Sequence, residues 1–178
     1  MRRGICWMFI AILLSGCGWH LQAVHPLPAE LSPVYLQLTD THSIFARSLQ
    51  AKLEAAGIQT TQDFAHAGAV LSITQDKSNR QISSVSAFNQ PQQYQIDYQI
   101  EFALDRHHKE ASAASTTAPT RLIASQLITA SRTMSYDVNL ALAKDREARS
   151  IEELLAEQLT QQVLRRLNYL PVAVVPSK

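Results

Sequence analysis

The stretch Tyr94-Gln95-Ile96-Asp97-Tyr98-Gln99-Ile100-Glu101-Phe102-Ala103-Leu104 decides the fold. Tyr94, Ile96, Tyr98, Ile100, Phe102 and Leu104 alternate with Gln95, Asp97, Gln99, Glu101 and Ala103. A two-residue period is that of a strand with one buried face. In a helix the same apolar set would spread around the whole circumference. Downstream, residues 107–119 are small and polar, read as a loop of low complexity, and are followed by strand character from Leu122 to Tyr136. Upstream, Ala69 to Thr74 reads as a strand that either stops there or runs on through a polar stretch to Phe88. Val34 to Leu38 is a further short strand.

Two helices complete the pattern. Phe45, Leu49 and Leu53 recur every four residues, Asp40 stands where a cap is needed, and Gly57 stands where a helix wants a left-handed end. The expected helix runs from about Ser43 to Ala56. A longer one carries Ile151, Leu154, Leu155, Leu159, Val163 and Leu167, begins as early as Val138, and stops before Pro171. The order β-α-β-β-β-α predicts an α+β two-layer sandwich. Two helices would pack on one face of a small, four-stranded, mostly antiparallel sheet.

The N-terminus carries a different signal. Arg2 and Arg3 precede an apolar run of ten residues, Ile5 to Leu14, that ends on Leu14-Ser15-Gly16-Cys17. Spanning a bilayer takes roughly 20 apolar residues, so this run has the size of a signal-peptide core. Its end resembles the lipobox of bacterial lipoproteins, in which small residues precede an acylated cysteine. The expected organisation is a lipoprotein signal peptide over 1–16, a lipidated Cys17 with a tether to residue 33, the domain over 34–170, and a tail over 171–178. Loss of Arg2 and Arg3 takes the formal net charge from +1 to −1. By the sorting rule of that class, Gly18 in place of an aspartate implies the outer membrane, on its periplasmic side.

Composition narrows the chemistry. A near-neutral charge gives no electrostatic footprint for nucleic acid. After residue 17 only Gly18, Gly57 and Gly68 remain, so neither a G-x-S-x-G elbow nor a phosphate-cradling loop can be built. His107-His108 has no third ligand at useful spacing, so no metal and no other cofactor is expected. No nucleophile stands with a base, and no enzyme is expected. Lys144, Arg146 and Arg149 are interleaved with Asp145, Glu147, Glu152 and Glu153. That pattern fits either an anion site or an ordinary salt-bridged helix face.

Cys17-Gly18-Trp19-His20-Leu21, Tyr94-Gln95-Ile96, Ala141-Leu142-Ala143-Lys144-Asp145 and Leu164-Arg165-Arg166-Leu167 together resemble the LPS-assembly lipoprotein family LptE, also called RlpB. The resemblance implies a plug in the lumen of the outer-membrane β-barrel LptD, helping to insert lipopolysaccharide into the outer leaflet and binding lipopolysaccharide itself. It points to Lys144 as a phosphate contact. A second basic residue has no match around Ser86 to Asn89, where Arg80 is the nearby substitute. The competing expectation is a periplasmic lipoprotein module that activates another envelope enzyme, such as a peptidoglycan synthase. A stretched tether of about 16 residues reaches only about 50 Å, which favours a partner in the outer membrane itself.

Overall fold

The computed structural model describes residues 27–107 and 120–170. The signal peptide, Cys17, residues 108–119 of the loop and the tail from 171 lie outside the described residues, as does the tether up to residue 26. The elements are β1 (Val34–Leu38), α1 (Ile44–Ala55), β2 (Thr60–Thr61), β3 (Ala69–Val85), β4 (Pro91–Arg106), β5 (Thr120–Ser135) and α2 (Ala141–Asn168). Single 3-10 turns stand at Ala29–Leu31, Phe64–His66 and Val138–Leu140.

The sheet has five strands in the order β2-β1-β3-β4-β5. This corrects the expected four-stranded, mostly antiparallel sheet: β1 pairs parallel with both β2 and β3, and the sheet is mixed. The parallel step follows from α1, which carries the chain over the sheet between β1 and β3 as a crossover. β2 is only two residues long and has no periodicity to reveal it. β3 continues through its polar half because Gln75 to Ile82 pair residue by residue with the regular strand β4, with a bulge at Ser83 beyond them.

The expected face of β4 is the buried one. Ile96, Ile100, Phe102 and Leu104 are completely buried, and Tyr98 nearly so. Both helices cover that face, and Lys52 of α1 meets Glu157 of α2 at 2.9 Å. Phe45, Leu49 and Leu53 from α1 and Leu155, Leu159, Val163 and Leu167 from α2 join them in one core. Each such side chain contributes about 1.5–3 kcal/mol through its removal from water. Leu154 is not part of the stripe and is exposed, since it lies one residue, about 100°, off the line that Ala148, Leu155, Ala156 and Leu159 define.

Local signals mostly decide the ends. The cap of α1 is Ser43, whose Oγ accepts from the Ala46 N–H at 2.9 Å, and not Asp40, whose carboxylate accepts from the His42 N–H at 2.8 Å in the turn before. Gly57 has φ +72° and donates to Glu54 O, closing α1 as expected. The folded region also starts before residue 34, because Leu27 and Leu31 are buried in the core. Among the described residues, no helix is long and apolar enough to cross a membrane.

Candidate functional site

The strands β3, β4 and β5 extend well past β1, and the start of α2 lies over their far ends. Register places Arg80, Ile96 and Arg132 side by side across the three strands, and Ile82, Tyr94 and Met134 one step further out. Directly paired residues share a face, so Arg80 and Arg132 are on the helix side with the buried Ile96.

The two basic residues singled out in the sequence meet here. Arg80 Nη1 donates to Asp145 Oδ1 at 3.1 Å, and Asp145 is the neighbour of Lys144. Lys144 Nζ donates to Glu147 Oε2 at 2.8 Å and to Ser135 Oγ at 3.2 Å, which ties the first turn of α2 to the end of β5. Only 15% of the Lys144 side chain is exposed, so it is held and not freely solvated. The interleaved charges of this segment are therefore partly a salt-bridged face. Arg132 makes no ion pair or hydrogen bond among the described residues. The sequence held a signal for it: on β5, Arg132 falls between Ala130 and Met134 in the alternation of buried positions.

Beyond these cations the turn between β3 and β4 faces the connection between β5 and α2. Tyr136 N–H donates to Gln92 O at 2.8 Å, and the Tyr94 and Tyr136 rings meet edge-on at 4.9 Å. Asn89 takes φ +60° at the turn, and Phe88 beside it is 87% exposed.

The face of the sheet away from the helices carries amides and hydroxyls. Gln75 donates to Gln99 at 3.1 Å, and Gln81 and Gln95 donate to the two oxygens of Asp97 at 3.0 and 2.8 Å. Ser125 donates to Glu101 at 2.7 Å. Across β5 the same face continues through Thr129, Ser131 and Thr133.

His107 stands at the opposite end of the sheet. Its ring packs against Phe64 with centroids 4.4 Å apart, and its backbone N–H donates to Gly68 O. Among the described residues no three His, Cys, Asp or Glu side chains are grouped to hold a metal.

Comparison with known proteins extends this description. The fold resembles that of a lipoprotein B from Nitrosomonas europaea (TM-score 0.65, 18% identity, 83% of this chain and 86% of that one). It also resembles a minor lipoprotein from Acinetobacter baumannii (TM-score 0.61, 17% identity, 80% and 93%). In sequence, the chain is 26% identical over 159 residues to the LPS-assembly lipoprotein LptE of Pectobacterium atrosepticum, covering 89% of this chain and 80% of the relative. The corresponding protein of Photorhabdus laumondii is 23% identical over 159 residues, covering 89% and 81%. The molecule thus has the two-layer α+β fold seen in bacterial lipoproteins. Residues 31–167 match the family described as LptE, lipopolysaccharide-assembly, and the chain belongs to that family.

Proposed function

We propose that this chain is a non-enzymatic outer-membrane lipoprotein that plugs the LptD β-barrel and binds lipopolysaccharide during its assembly into the outer leaflet. The observation that carries this reading is the open face of β3, β4 and β5, where Gln75 bonds Gln99 and where Gln81 and Gln95 together satisfy the Asp97 carboxylate. Barrel lumens are polar, and large barrels are plugged. An amide and hydroxyl surface can hydrogen-bond to such a wall without burying many full charges, which is costly. The family membership supports the assembly role.

Lipopolysaccharide phosphates would meet Lys144 first. Arg80 is the second candidate from the sequence; its guanidinium is engaged by Asp145, as the Lys144 ammonium is by Glu147. Arg132, flanking Ile96 on the other side, is the better complement. The anchor in this reading is Cys17 carrying lipid after removal of residues 1–16, with the domain on the periplasmic side of the outer membrane.

Affinity purification from detergent-solubilised outer membranes tests the partner. Stoichiometric recovery of a large barrel is expected, whereas recovery of a peptidoglycan synthase instead would return the alternative. Mass spectrometry of the mature N-terminus should show an acylated Cys17, and Cys17→Ala should leave the chain unprocessed. An unmodified Cys17 in the wild-type protein would overturn the anchor.

A further inference from the structure

The sheet ends on β5, which lies outermost beyond β4 and is 16 residues long. Its pairing with β4 runs without interruption from Gln126 to Ser135. Alternate residues of an antiparallel strand turn their N–H and C=O groups away from the partner, so this stretch presents a second row of them outward. Among the described residues, no backbone group outside β4 bonds to it. We propose that this edge is an interface with a second copy of the chain, the two β5 strands pairing antiparallel about a two-fold axis at Thr129. The inference is independent of the lipopolysaccharide reading above.

The edge lacks the devices that usually blunt one. Lone edge strands are protected by charges, prolines or a short length. From Leu122 to Ser131 β5 has no charged residue, no proline and no glycine. Ile128 and Thr129 are β-branched, which gives the middle of the edge a strong strand preference. The hydrogen bonds that α2 makes to β5 run between side chains, Arg166 to Gln126 and Lys144 to Ser135. They leave the backbone of the edge unused.

The same stretch is self-complementary, which is why the occupant is a second copy. A two-fold axis normal to the sheet pairs residues that share a face, and keeps both helix layers on one side. With the axis at Thr129, that residue faces its own copy, Ile128 faces Ala130, Leu127 faces Ser131 and Gln126 faces Arg132. All of these lie in the uninterrupted stretch. The buried Ile128 and Ala130 then continue the helix-side layer across the seam, and the exposed Leu127 gains cover on the open face. Threonine opposite threonine is a favourable cross-strand pair. Arg132 meets an amide, whereas an axis at Arg132 would set two guanidinium groups against each other. The two five-stranded sheets become one.

The test uses the mature full-length protein in detergent, free of other envelope proteins. Sedimentation velocity across a dilution series should show a reversible monomer–dimer equilibrium. Thr129 is exposed, so Thr129→Lys and Thr129→Glu should keep the fold by circular dichroism. Each should weaken dimerisation about tenfold, because like charges then face each other at the axis, and an equimolar mixture of the two should restore it. Thr129→Cys should form an intermolecular disulfide under mild oxidation, whereas Thr133→Cys, which this register sets against Ser125, should not. Removal of residues 171–178 should leave the equilibrium unchanged. Wild type that stays monomeric at every concentration would overturn the interface. So would undiminished dimers in both charge variants, a mixture no better than either alone, or equal cross-linking at 129 and 133. Dimers that form only after removal of residues 171–178 would give the edge to the chain's own tail instead.

Discussion

Arg80 and Asp145 are 65 residues apart in the chain, yet their side chains meet at 3.1 Å and join the outer half of β3 to the first turn of α2. The contact occupies the guanidinium of Arg80 and leaves Lys144, the neighbour of Asp145, turned to Glu147 and Ser135. Both basic residues are thus paired with carboxylates at the start of α2, Arg80 from β3 and Lys144 from within the helix.

Lys144→Asp should remove most lipopolysaccharide binding at low salt, because it inverts the charge beside Asp145 and Glu147. The wild-type contact should itself weaken as salt is raised. Arg80→Ala should keep the binding and cost less than about 1 kcal/mol of stability, the usual worth of an exposed ion pair. Binding measured at low and high salt, with circular dichroism as the fold control, separates the two. Equal losses of binding would move Arg80 into the site.

Ile100→Asp should unfold the domain or destabilise it on the order of 3–5 kcal/mol. Ile100 is fully buried and lies opposite Asp76 and Ile128, so the new carboxylate would have neither solvent nor a cation. Gln99→Asp lies on the open face and should cost less than about 1 kcal/mol. Urea denaturation of the two variants checks the assignment, which does not survive equal midpoints.

Gly68 and Gly57 should fail for different reasons. A Cβ at Gly68 would stand 2.6 Å from Glu30 O and 2.7 Å from Leu31 C, which are backbone atoms that cannot swing away. Gly68→Ala should therefore cost about 1–3 kcal/mol, and Gly68→Asn more. At Gly57 there is open space but φ is +72°, so Gly57→Ala should cost about 1 kcal/mol and Gly57→Asn much less. Melting temperatures for the four variants give the test: rescue by asparagine at 57 only.

Alkaline pH should weaken the fold through Tyr98. Burial, and then the hydrogen bond to Asp76 at 2.9 Å, raise its phenol well above the ordinary value of 10.0. A raised pKa means that the folded state keeps its proton after the unfolded chain has lost it. The contribution is therefore complete below about pH 10 and declines as pH rises beyond it. Tyr98→Phe should flatten part of that decline between roughly pH 10 and 11.5. Phenolate absorbance and urea midpoints across this range are the measurement, and an unchanged slope would assign the decline to other groups.

Much of the fold was legible in local pattern. The alternation over Tyr94 to Leu104 identified the buried face of β4, because a strand turns successive side chains to opposite sides whatever its neighbours are. The spacing of Phe45, Leu49 and Leu53, with Gly57 after them, located α1 for the same kind of reason. Ser43 and Asp40 lie in the same short polar run, and nothing local ranks one above the other as the cap. Leu154 and Leu155 are adjacent on the stripe, and local pattern does not say which of the two faces inward.

The sequence by itself thus determined the two helices, the strands with a regular period, and for those elements which side faces the core. It also carried the markers of the family at Cys17 and around Lys144. Only the tertiary structure decided that β1 lies parallel to β3, that β2 forms an edge, and that the polar half of β3 is held by β4. It alone gave Arg80 to Asp145 and left Arg132 unpaired among the described residues. The reason is physical. Periodicity records how a residue stands relative to its own backbone, while strand order and side-chain partnership depend on which distant edges meet, and that choice is made by the packing of the whole core.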